Sequence, residues 1–239
     1  MTEHELLTAL ARRKGRERPL AGPVEWDSDA SLLARSPDWG LDALWERFAR
    51  ELERLGGTPY RAASLADARA HVARVAAGAA GLPAAQAAGG DRPIVMAWNH
   101  PVVASLGLDG ALREVGLDLA VWGGNAAAGP RQARELAARA VAGITGVDWA
   151  VAETGTLLLC SAPGRGRVVS LLPPVHVALI RPAQLLPSLA EAIRRVGRAT
   201  ELPSSLVLIT GPSRSADIEN DLSIGVHGPG SVHAVLLPE

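Results

Sequence analysis

The chain has 239 residues, close to the size at which one hydrophobic core stops growing, so a single large domain, with or without an attached arm, is expected. Its 24 Lys and Arg stand against 25 Asp and Glu, which leaves no one-sign field to draw in nucleic acid. The single cysteine, Cys160, rules out an internal disulfide and cannot supply the four thiolates of an iron–sulfur cluster.

In chain order, Thr2 and Glu5 make a capping box ahead of Leu6, Leu7 and Leu10. A basic run at 12–18 follows, and then Pro19, Pro23 and Pro37 with no sustained period. Residues 1–39 therefore read as an N-terminal helix and extended arm, and 40–239 as an α/β domain. The start of the chain lacks the apolar centre of a signal peptide, and runs such as 205–210 fall short of the roughly 20 residues of a membrane helix. A soluble, cytoplasmic protein with no membrane span is expected.

Leu41, Leu44, Trp45, Phe48, Leu52 and Leu55 recur at steps of three and four before Gly56-Gly57, which predicts a helix with a glycine stop. A second helix begins at the Ser64 and Asp67 cap, turns Leu65, Ala68, Val72 and Val75 inward, and gives out in the Ala/Gly/Pro-rich stretch 76–92. From there apolar runs at 93–98, 118–122, 148–152 and 205–210 alternate with helical stretches near 107–116, 130–142 and 187–196. That is βαβ rhythm. Runs at 156–160, 167–172 and 175–180 follow one another across Gly and Pro turns, predicting hairpins inside a mixed sheet, and 232–237 adds a last strand. The runs are continuous rather than alternating, so helices cover both faces, and the fold class is a three-layer α/β/α domain with a mixed, mainly parallel sheet.

Ligands in such sheets bind beyond the carboxyl ends of the strands, which directs attention to the loops after 148–152 and 205–210. In the first, AETGT at 152–156, Glu153 is a candidate base or nucleophile, with Thr154, Gly155 and Thr156 as ligand-binding neighbours. Burial beside Val151 and Leu157 would suit it to proton transfer, whereas an ordinary hairpin turn explains the same residues. In the second, GPSRSADIE at 211–219, Gly211 breaks the strand. Ser213, Arg214 and Ser215 lead into a predicted helix start carrying Asp217 and Glu219. A helix N-terminus with Arg214 and two hydroxyls suits a carboxylate or phosphate, although Ser215 can cap the helix with no ligand at all. The same loop misses the nucleophile elbow at 215, where Gly is required; a hydrolase would pair Ser213 with His227 or His233.

His227 and Gly228, in the loop before the last strand, offer a donor or general acid, or simply a solvent-facing turn. His176 lies inside an apolar run and reads as a satisfied core residue. Gly123-Gly124-Asn125 and Asn99-His100-Pro101 also follow strands, but neither fits a nucleotide-binding motif and turn chemistry accounts for them. No Cys/His cluster has zinc spacing, so no metal is expected.

Three segments in order, AETGTLLL at 152–159, SLLPPVHVALI at 170–180 and LITGPSRSADIENDLSIGVHGPG at 208–230, resemble the LUD domain family, in its lactate utilisation protein C branch. The resemblance implies a fold similar to the sugar isomerase and CoA-transferase superfamily. It also implies a bacterial system that oxidises L-lactate to pyruvate with iron–sulfur partner proteins, in which this chain carries no cluster on its own cysteines and binds a small carboxylate or phosphate-bearing ligand. The family pattern falls on Glu153, Thr154, Gly155, Thr156, Gly211, Pro212, Ser213, Arg214, Asp217, Ile218, Glu219, His227, Gly228 and Pro229. The competing expectation is a stand-alone transferase or ligase acting on a CoA, nucleotide or folate-like substrate, with Glu153 as nucleophile or base. A regulatory or scaffold protein is a third.

Overall fold

Helix α1 (Leu41–Arg54) turns Trp45, Phe48 and Leu52 inward, because residues three and four apart share a helix face. Glycines close it: Gly56 takes a φ of +85°, and Gly57 N–H returns to the Leu52 carbonyl at 2.9 Å, satisfying a group the helix leaves without a partner. The computed structural model describes residues 39–81, 92–124, 130–198, 203–216, 222–224 and 227–239. The arm expected over 1–39 lies, but for Trp39, outside the described residues.

After β1 (Thr58–Arg61) comes α2 (Leu65–Ala80), capped as expected by Ser64, whose Oγ accepts the Asp67 N–H at 3.1 Å. The chain continues through β2 (Ile94–Ala97), α3 (Pro101–Ala104), α4 (Leu108–Glu114), β3 (Asp118–Val121), α5 (Pro130–Arg139) and β4 (Ala140–Gly146). Then follow β5 (Trp149–Val151), β6 (Thr156–Cys160), α6 (Val168–Leu171), β7 (Val175–Ile180), β8 (Leu185–Leu186) and α7 (Leu189–Gly197). The last elements are β9 (Leu206–Ile209), β10 (Arg214–Ala216), β11 (Leu222–Ile224) and β12 (Ser231–Leu236).

Six strands form a wholly parallel sheet in the order β1-β12-β7-β4-β2-β3. Helices cover both faces, as the continuous apolar runs require: α2 and α3 pack on one side of β4, α5 and α6 on the other. Gly143 and Gly146, three residues apart on β4, face opposite ways accordingly, one toward Val169 of α6 and the other toward Val102 of α3. The hairpins expected over 156–180 do not form: 175–180 is β7 of this parallel sheet, whereas 156–160 is β6 of a second, four-stranded sheet, β8-β5-β6-β9, where it runs antiparallel to β5 and β9. Val151, Leu158, Cys160, Leu186 and Ala192 make a small core of its own between that sheet and α7.

The stretches 130–142 and 167–172 differ from the sequence expectation. The helical stretch read over 130–142 stops at Arg139, and the next seven residues, AVAGITG, are the fully buried strand β4 at the centre of the parallel sheet. Its Ala and Gly content carries no strand signature because the site selects small size over β propensity: a Cβ on Gly143 would lie 1.8 Å from the Val169 carbonyl oxygen. The run 167–172, read as a strand, is the short helix α6. There Val169 goes inward while Leu172, just beyond it, remains 47% exposed, a division that a six-residue apolar run does not reveal.

Gly143→Ala should therefore cost about 3 kcal/mol or abolish folding. In contrast Gly110→Ala, in α4 with nothing within 4 Å of the added methyl, should be neutral or gain about 0.5–1 kcal/mol. Urea unfolding of the two variants checks this; equal stabilities would show that β4 and α6 are not packed so closely.

Candidate functional site

The AETGT loop is the turn between β5 and β6. Gly155 takes a φ of +64°, and a Cβ there would lie 2.5 Å from the Leu52 nitrogen, so the turn rests directly on the backbone of α1. On either side of it Thr154 and Thr156 join hydroxyls at 2.8 Å, and Thr156 reaches Thr210 at 3.1 Å, tying this loop to the end of β9. Glu153 has a partner of its own: Oε1 accepts the Leu189 N–H at 2.6 Å. A carboxylate on the first turn of α7 satisfies an unpaired N–H and meets the positive end of the helix dipole.

After β9 the chain does not start a helix. Arg214–Ala216 is β10, paired antiparallel with β11 so that Arg214 faces Ile224 and Ala216 faces Leu222. The ladder uses backbone N–H groups that a helix start would have left free, so the helix-terminus part of the anion cradle is absent at 214–216. Asp217, Ile218 and Glu219 lie outside the described residues. The Arg214 guanidinium instead donates to the Leu55 carbonyl at 2.8 Å, just past the last turn of α1, and remains exposed. Gly211, with a φ of +118°, lies against the same residue, and a Cβ there would sit 3.1 Å from the Leu55 oxygen. Ser213 N–H donates to the Pro229 carbonyl at 2.8 Å, and Gly228 lies beside the Ser213 side chain. His227, in the same turn, is exposed.

All three loops thus meet around the carboxyl end of α1. The six-stranded sheet is parallel, so its carboxyl edge is defined by Arg61, Ala97, Val121, Gly146, Ile180 and Leu236. The three loops lie at the opposite edge, where Gly57 precedes β1 and Gly230 N–H donates to the Pro174 carbonyl ahead of β7 at 2.9 Å. AETGT and Thr210 do follow carboxyl ends, but those of β5 and β9 in the smaller sheet.

The carboxyl edge carries a cluster that the sequence reading assigned to turns. The connection from β2 leads outward to β3 and that from β4 leads back to β7, so the chain diverges between β2 and β4, where open sheets hold their ligands. There His100 caps α3, with Nδ1 accepting the Val102 N–H. Burial, and then the guanidinium groups of Arg165 and Arg181, push its pKa down. Trp98 donates to the Gly166 carbonyl at 2.9 Å and lies under Arg165, which pairs with Asp148 at 3.0 Å. Asp148 also accepts the Cys160 N–H, and a cavity of about 640 Å³ opens beside Asp148, Trp149, Cys160, Arg165 and Arg195. The only signal in the sequence was Asn99-His100-Pro101 following a strand.

His176 is buried as expected but only partly satisfied, with Nε2 2.9 Å from the Thr145 hydroxyl and Nδ1 without a hydrogen-bond partner among the described residues; burial, with His233 nearby, pushes its pKa down to about 3. His233 pairs with the Ser231 hydroxyl, not with Ser213, and burial takes it to about 4. Among the described residues no group of three His, Cys, Asp or Glu is placed to hold a metal ion, and no helix is long and apolar enough to cross a membrane.

A parallel sheet between two helical layers, with a smaller mixed sheet beside it, defines an α/β protein of the three-layer kind. The LUD domain pattern matches residues 45–237, and the chain belongs to the LUD domain family. It is 40% identical over 139 residues to lactate utilization protein C of Halalkalibacterium halodurans, covering 56% of this chain and 58% of that protein. It is 39% identical over 148 residues to lactate utilization protein C of Geobacillus sp., covering 59% and 60%. The chain thus aligns with less than two thirds of the length of these relatives. A solved DUF162 family protein from Deinococcus radiodurans superposes with a TM-score of 0.49 at 19% identity, over 84% of this chain and 99% of that one.

Gly155→Ala should lower stability by about 2 kcal/mol or more, since it adds strain at positive φ to a clash with helix backbone. Chemical denaturation measures it, and a change under about 0.5 kcal/mol would show that the turn and α1 are not in contact. The histidines predict the pH dependence. His176 is neutral in the fold down to about pH 3, whereas its ordinary pKa is 6.5. Below 6.5 the unfolded chain takes up a proton that the folded chain refuses, so stability falls on acidification and gains nothing above that pH. The slope for this group is about 1.4 kcal/mol per pH unit. Urea midpoints at about pH 5 and pH 7 test it. They should differ less in His176→Gln than in the parent, and equal differences would show that His176 takes up its proton without opposing the fold.

Proposed function

We propose that the chain is a component of L-lactate utilisation that works beside iron–sulfur partner proteins and carries no redox centre of its own. The observation that carries this reading is the 39–40% identity to two proteins named lactate utilization protein C. Oxidation of L-lactate to pyruvate releases two electrons and two protons, and the electrons leave through clusters held by the partners. The lone cysteine fits this division of work. Burial pushes the Cys160 thiol up to about 11, which makes it a poor metal ligand or nucleophile at neutral pH.

Within this reading the exposed Arg214, in the corner where the three loops meet, holds a small carboxylate or phosphate-bearing anion with the guanidinium donors it does not spend on Leu55. The transferase or ligase reading has less support, because the Glu153 carboxylate already accepts a backbone N–H of α7.

Deleting the gene should abolish growth on L-lactate but not on pyruvate, and the tagged chain should bring down proteins with iron–sulfur absorbance. Arg214→Ala should weaken L-lactate or phosphate binding by about tenfold or more. Normal growth of the deletion strain on L-lactate would sink the proposal, and turnover by the purified chain that is lost in Glu153→Gln would replace it with the transferase reading.

A further inference from the structure

The carboxyl edge holds a second cavity, of about 480 Å³, at the ends of β2 and β3, next to the point where the connections diverge. Its volume lies within the range of small-molecule sites. Met96 and Ala120, neighbours in the β2–β3 register, contribute apolar lining, and Met96 is buried. Trp122 supplies an aromatic wall, its indole held against Gly166, where a Cβ would lie 2.3 Å from a ring carbon. Asn99 and Gln132, both exposed, bring primary amides, each able to donate and accept. Between Trp122 and α5, Gly123 and Gly124 leave the backbone bare of side chains, and Gly123 holds a φ of +71° that other residues rarely adopt.

None of the described side chains that line it carries a charge. This sets the cavity apart from the neighbouring cluster around Arg165 and Asp148 and from the Arg214 corner. An anion would find no counter-charge here, and desolvating it would cost more than two neutral amides return. An uncharged planar ring that stacks on indole and offers a donor and acceptor edge to the amides meets every feature of the lining.

We propose that this cavity binds the uncharged heterocyclic ring of a cofactor or metabolite, of purine or isoalloxazine type, at a site separate from the three-loop cluster. The ring sits against Trp122, and Asn99 and Gln132 read its polar edge. The proposal does not depend on the lactate reading.

Adenosine and riboflavin, which present the two ring types without charge, are titrated separately into the full chain by calorimetry, with L-lactate and inorganic phosphate as charged controls. At least one ring should bind, and Asn99→Ala and Gln132→Ala should each weaken it about tenfold, roughly the effect of one lost hydrogen bond. Both amides are exposed, so the variants should keep the parent's thermal transition. In Trp122→Phe the fluorescence quenching that accompanies ring binding should be lost. The proposal fails if neither ring binds up to about 1 mM, a concentration that registers weak affinities. It fails equally if binding is unchanged in both amide variants, or if only the charged probes bind, with affinity that depends on Arg214.

Discussion

The carboxyl end of α1 holds the six-stranded and the four-stranded sheet to each other. This helix packs on β1 of the parallel sheet and on β8 of the smaller one, and its last turn receives two glycine turns from the smaller sheet's strands. Gly155 lies on the Leu52 backbone and Gly211 on Leu55. Arg214 then takes the Leu55 carbonyl, placing a cation where the helix dipole is negative. None of these contacts is large, but each is close. A methyl group on Gly155 would force its turn off the helix backbone, one on Gly211 would crowd Leu55, and the hydroxyl chain from Thr154 through Thr156 to Thr210 ties the two turns to each other.

Close approach is also what makes β4 the centre of the parallel sheet. All seven of its residues are buried, and with helices on both faces the space available at Gly143 and Gly146 is less than a methyl group needs. In a close-packed interior the same geometry that rejects a larger side chain fixes the depth at which α6 and α3 sit. Those helices in turn set where the chain leaves the carboxyl edge, so the position of His100 and of the turn at 164–166 follows from glycines in a strand that makes no hydrogen bond to them through its side chains.

The sequence was legible where periodicity or cap chemistry acts locally. The steps of three and four from Leu41 to Leu55, the Ser64 cap and the apolar runs of β2, β3, β6, β7 and β9 all lie where they were expected. It was not legible where tertiary packing overrides propensity. AVAGITG continues a helical pattern and lacks β-branched bulk at the positions that matter, because those positions face helix backbone. The run 167–172 is too short for its period to be read. In the loops, residue type pointed to groups with ligand chemistry but not to the partners those groups have in the fold. Glu153 and Arg214 both have the chemistry for a ligand, and both are within hydrogen-bond reach of helix-end backbone groups that also need them.

Orientation is the further thing a single sequence does not give. A loop after a strand was placed at a carboxyl edge, and that is correct for AETGT and for Thr210, but the strands concerned belong to the smaller sheet, which delivers them to the amino edge of the larger one. The two edges consequently differ in character. At the amino edge Gly155, Gly211 and the Arg214 guanidinium face helix backbone, and the threonine hydroxyls bond one another. At the carboxyl edge charges pair among themselves, Arg165 with Asp148, while the described residues lining the cavity beside Trp122 are uncharged. Open parallel sheets bind ligands at the carboxyl edge because diverging connections leave a crevice that no crossover fills. At the amino edge the end of α1 packs beside β1 and β8 instead. The Arg214 corner therefore lies on the rim of the seam between sheets, whereas the cavity at Trp122 lies at the ends of β2 and β3, beside the point where the connections diverge.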